Sequence, residues 1–147
     1  MFKVIVWATD GSSGAEQALP YAKGFAQADG ARLIVVHVDE FGAGRGGGYS
    51  VNVDETEDKD AIRKQVEDLK REGFDATLQS SRVSMGGAAH VIAEIAKEKG
   101  AELIVTGTRG HGPLSGLLVG SVTHRLVQIA HCPVLVVPTT SAGVSRA

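Results

Sequence analysis

The chain reads as a single α/β domain, an open parallel sheet of five strands with helices on both faces. Three observations predict this. Four short runs are apolar at consecutive positions, the pattern of strands buried on both sides, and a fifth, residues 76–83, is a weaker and more polar strand. Segments with helical apolar spacing separate them. Strand and helix alternate along the chain, which calls for right-handed crossovers between parallel strands.

Taken in order, Val4–Ala8 is the first strand, broken by Thr9-Asp10-Gly11-Ser12. Ala15, Ala18, Leu19, Ala22 and Ala26 then recur at helical spacing up to Gly30. Pro20 inside that pattern is expected to kink the helix or to mark its first turn. Leu33–Val38 is the second strand, and Ile62, Val66 and Leu69 mark a helix ending near Gly73. Residues 76–83 form a third strand whose polar content places it near an edge. Val91, Ile92, Ile95 and Ala96 mark a helix closed by Gly100, and Leu103–Val105 is the fourth strand. Val122, Leu126, Ile129 and Ala130 mark the last helix, and Val134–Val137, between Pro133 and Pro138, is the fifth strand. Gly42–Gly48 is glycine-rich and expected to be a mobile loop. The domain thus spans residues 1–138, and 139–147, small and polar, are expected to form a frayed tail.

Composition narrows the function. Fifteen basic and seventeen acidic residues leave a formal charge of -2, without the basic excess of a nucleic-acid binder. The one cysteine, Cys132, excludes an intrachain disulfide framework and reads as a small packing residue. No apolar run reaches membrane-spanning length, and Met1–Trp7 is too short for a signal-peptide core. A cytoplasmic setting with no membrane partner is the expectation.

The segment that carries chemistry is Gly107-Thr108-Arg109-Gly110-His111-Gly112-Pro113, continuing to Gly120-Ser121-Val122-Thr123. It leaves the fourth strand and enters the last helix. Glycine lets a ligand approach the backbone, and consecutive amides in such a loop form an anion-binding concavity. Gly120-Ser121 stands at a helix start, where unpaired amides and the helix dipole favour phosphate, and the Ser121 and Thr123 hydroxyls can add donors. In an open parallel sheet, ligands lie beyond the carboxyl ends of strands where the chain order reverses. If strands one and four are neighbours, Asp10-Gly11-Ser12 and the glycine loop flank one crevice. Three other signatures are absent. The chain has no Gly-Lys pair for a Walker loop, Ser115 stands at the third glycine of a dinucleotide fingerprint, and there is no Gly-x-Ser-x-Gly elbow.

The spacing Gly107-x2-Gly110-x9-Gly120-Ser121 resembles the ATP-binding signature of universal stress proteins. Val4–Ser12, Val36-His37-Val38 and Cys132–Val137 support the resemblance, which covers roughly residues 2–138. It implies a sheet in order 3-2-1-4-5, of the adenine nucleotide alpha hydrolase-like arrangement, and a homodimer formed through edge strand five. It also implies that Asp10 and the backbone of Ala8 and Thr9 border adenine and ribose, and that the Val38 backbone meets the adenine edge. Gly107 to Gly110 are implied to hold ribose and α-phosphate, and Gly120, Ser121, Val122 and Thr123 the β- and γ-phosphates. The sequence departs from the family at Trp7, bulkier than usual, at Gly42–Gly48, and at Ser84-Met85-Gly86-Gly87, which replaces a frequent Gly-x-Pro.

Several residues keep two readings. Asp10 serves the ribose and Mg²⁺ beside the phosphates, or caps the first helix. Arg109 and His111 meet phosphate, or are solvated loop residues. The expected function is that of an ATP-binding, nucleotide-dependent stress-response regulator, with Mg²⁺ and an unidentified protein partner. A slow ATPase or autokinase is one alternative, although no acid–base pair stands at readable spacing. A dimeric structural module without nucleotide is the other.

Overall fold

The computed structural model describes residues 1–41, 53–108 and 119–139. Gly42–Gly48, Arg109–Pro113 and the tail beyond Thr139 lie outside the described residues. The elements are β1 (Val4–Thr9), α1 (Ser13–Asp29), β2 (Arg32–Phe41), α2 (Val53–Arg71), β3 (Ala76–Ser84), α3 (Ala88–Glu98), β4 (Leu103–Gly107), α4 (Ser121–Ile129) and β5 (Val134–Val137). They build one parallel sheet in the order β3-β2-β1-β4-β5. The alternation and the polar edge strand are therefore as expected.

Two apolar clusters hold the layers together. On one face Ile5, Trp7, Leu33, Val35, Leu103 and Val105 pack with α1 and α2. On the other, Val6, Ala8, Ile34, Val36 and Ile104 pack with α3 and α4. Consecutive strand residues feed opposite layers, which is why the inner strands β1 and β4 are apolar at consecutive positions. Fully buried Ile104 and Leu126 each contribute about 1.5–3 kcal/mol by leaving water.

The buried face of α1 is almost all alanine: Ala15, Ala18, Ala22 and Ala26. Such a thin face brings the helix close to the sheet and leaves room for the fully buried Trp7 indole, whose Nε1 donates to the Ala15 carbonyl at 3.0 Å. The bulk of Trp7 is thus absorbed beneath α1. Pro20 does not mark the first turn, because α1 already begins at Ser13 and runs through it. The helix start is fixed instead by Ser12, whose Oγ accepts from the Ala15 amide at 3.3 Å. Strand β2 runs past Val38 to Phe41, paired with β3 as far as Phe41↔Ser84. Among the described residues no helix is long and apolar enough to cross a membrane.

Candidate functional site

β1 pairs with β2 on one side and β4 on the other, so the chain order reverses at its carboxyl end. From there β1 leads into α1 on one face and β4 leads to α4 on the other. This divergence leaves the crevice in which ligands of open α/β sheets sit. The register brings Trp7 beside Val105, and Thr9 beside His37, so Thr9 and Asp10 stand next to the end of β2 and near that of β4.

The turn after β1 is bonded by its own side chains. The Gly11 amide donates to Thr9 Oγ1 at 3.1 Å, and the Ser12 amide to Asp10 Oδ1 at 2.9 Å. Asp10 therefore shapes the entry to α1, whose N-cap is Ser12 and not Asp10. Gly11 has φ +83° and lies against α2: a Cβ there would stand 3.0 Å from Asp58 Cγ. The positive φ favours glycine there, and a side chain would in addition press on Asp58.

The turn after β4 is pinned at its base. The Thr108 amide donates to the Val137 carbonyl at 3.0 Å, and the Gly120 amide to the Thr108 carbonyl at 2.6 Å. Buried Thr123 donates its hydroxyl to the Gly107 carbonyl at 2.9 Å. These bonds gather Gly107, Thr108, Gly120, Ser121, Val122 and Thr123 at one strand end. They also commit the Thr123 hydroxyl proton to the backbone. Arg109, Gly110, His111, Gly112 and Pro113 belong to the intervening segment outside the described residues.

Helix starts at this end of the sheet differ in how they are satisfied. α1 is capped by Ser12. α3 starts at Gly87, which has no side chain, but Glu40 reaches over from β2: its Oε2 accepts from the Gly86 amide at 3.1 Å and its Oε1 from the Ala88 amide at 3.3 Å. α4 starts at Gly120 with no side-chain cap among the described residues. The first amides of a helix have no intrahelical acceptor and carry the positive end of its dipole. The α4 start is thus suited to an external anion.

Sequence reasoning missed the polar end of β2. His37 is buried, and its Nδ1 donates to the Thr9 carbonyl at 3.0 Å. Its Nε2 lies 2.7 Å from Asp39 Oδ1 without hydrogen-bond alignment. Asp39 Oδ2 in turn meets Lys59 of α2 at 2.9 Å. This chain ties β1, β2 and α2 together beside the crevice. Continuing the two-residue strand alternation beyond Val38 would have assigned His37 and Asp39 to one face and Val38 and Glu40 to the other.

With that geometry in hand, comparisons with known proteins are informative. Residues 1–138 match the model of the universal stress protein family. A universal stress protein of Thermus aquaticus is 36% identical over 143 residues, covering 93% of this chain and 99% of the relative. Universal stress protein MJ0577 of Methanocaldococcus jannaschii is 30% identical, covering 93% and 95%. Two solved structures are nucleotide complexes. One is a universal stress protein with cAMP, at TM-score 0.69 and 25% identity over 95% of this chain and 99% of that one. The other, from Archaeoglobus fulgidus with dAMP, has TM-score 0.65 and 26% identity over 92% and 97%.

Proposed function

Since this chain belongs to the universal stress protein family, we propose that it binds ATP at the crevice between β1 and β4 and acts in the cytoplasm as a nucleotide-dependent stress-response regulator. The observation that carries this reading is the contrast among helix starts. α1 and α3 are closed by side chains of the chain itself, whereas α4 has no side-chain cap among the described residues. A polyphosphate there meets the amides of Ser121, Val122 and Thr123 and the Ser121 hydroxyl. The base lies toward Ala8, Thr9 and the Val38 main chain, with Gly107 and Thr108 between. The adenine nucleotides held by the two structural relatives support this class of ligand. Mg²⁺ would neutralise the phosphates, with Asp10 at the rim of the crevice.

Three or four charge-assisted bonds of about 1.5–3 kcal/mol each, offset by ordering costs, correspond to roughly micromolar affinity, about -8 kcal/mol. Calorimetry with ATP and Mg²⁺ tests this, and Gly120→Glu places a carboxylate where the phosphates go and should abolish binding. Absence of binding at millimolar ATP rejects the proposal. The family resemblance adds a homodimer through β5, the outer strand of the sheet, whose Val134, Leu135 and Val136 are half-buried. Sedimentation equilibrium tests that assembly, and a monomer at high concentration refutes it.

A further inference from the structure

Glu40 is a carboxylate that bridges two elements at the base side of this site through main-chain amides. It stands two residues beyond Val38, on the same face of β2, toward α3 and α4. Its two oxygens accept from Gly86 and Ala88, and the Met85 amide donates to the Phe41 carbonyl at 2.9 Å. The ends of β2 and β3 and the first turn of α3 therefore close around a single carboxylate.

We propose that Glu40 is a specificity-determining positioning residue of the nucleotide site. The proposal rests on the ATP reading above and deepens it. Bonds to a charged acceptor are stronger and more directional than neutral ones, so the clamp fixes the Val38 main chain, where the base is read. The same carboxylate occupies amides that would otherwise form a second anion site at the α3 start. Its negative charge also repels a polyphosphate from that start. Glu40 thus sets the direction of the ligand, with the phosphates at α4 and the base at β2. It also supplies a fixed anchor where the tetrapeptide Ser84–Gly87 has no proline.

The test compares the full chain with Glu40→Ala and Glu40→Gln, titrated separately with Mg·ATP and with Mg·tripolyphosphate, which carries the phosphates without base or sugar. Glu40→Ala is expected to lose about tenfold in ATP affinity with no loss for tripolyphosphate. Glu40→Gln, which keeps one acceptor and the side-chain size, should fall between. Added acetate should recover part of the Glu40→Ala loss by refilling the vacated amides, and should leave the parent unchanged. Equal ATP affinity in parent and Glu40→Ala overturns the role of Glu40 and leaves the ATP reading standing. So does an equal loss for both ligands, which would mark a merely structural residue. If Glu40→Ala does not fold, the same comparison on Glu40→Gln decides, and an unchanged ratio of the two affinities overturns the proposal. A parent chain that binds neither ligand overturns the ATP reading, and this one with it.

Discussion

A methyl group at Gly107 would stand 2.6 Å from the carbonyl oxygen of Gly14 and 2.8 Å from its carbon. Backbone cannot step aside as a flexible side chain does, so β4 and the first turn of α1 must part. Gly107→Ala is therefore expected to destabilise the protein by about 1–3 kcal/mol, read from urea denaturation. The glycine spacing singles out this residue, but for nearness to a ligand. That it also accommodates α1 depends on a contact between distant elements, which no local pattern carries. Cys132 shows the converse. Its role as a small packing residue is legible from composition, and it is half-buried against the α3–α4 layer. Burial raises its thiol pKa above the ordinary value by disfavouring the thiolate. Alkylation by iodoacetamide at neutral pH should accordingly be slower than for a free cysteine, and should rise only at more alkaline pH. A rate equal to that of an unstructured peptide would contradict this placement.

At the scale of elements, the first turn of α4 is tied to β4 by Thr123, in addition to the packing of Leu126 against the sheet. Thr123→Val keeps the shape and removes the donor, leaving the buried Gly107 carbonyl without that bond. A loss of about 1–3 kcal/mol in stability is expected, with Thr123→Ser recovering much of it. Element types and order were legible because strand and helix periods differ sharply here and glycines punctuate the helix ends. Two boundaries were not. Pro20 suggested a late start for α1, yet the Ser12 cap and the alanine face outweigh the one backbone bond that proline omits. The apolar run ends at Val38, whereas β2 continues to Phe41. Tertiary partners keep it extended: Lys59 of α2 for Asp39, and the Gly86 and Ala88 amides at the α3 entry for Glu40.

For the molecule as a whole, a ligand that binds only the folded state stabilises it with the logarithm of its free concentration relative to its dissociation constant. ATP at a hundred times its dissociation constant should add about 2.7 kcal/mol. For a domain of this size that is a rise of about 5–10 °C in Tm, measurable by scanning calorimetry, and Gly120→Glu should show none. Strand order was legible only through family resemblance, since alternation alone permits several parallel orders. The β1–β4 pairing that results joins Ile5 to Leu103, from nearly opposite ends of the domain. Such a pairing bears on the order of synthesis as well as on the finished fold. A ribosome that has released β1, β2 and β3 has delivered only one wall of the crevice, and the side proposed to hold phosphate arrives with α4. On the proposed reading, nascent chains ending before residue 123 should therefore be blind to nucleotide, so any protection of the growing chain by ATP waits for the first turn of α4.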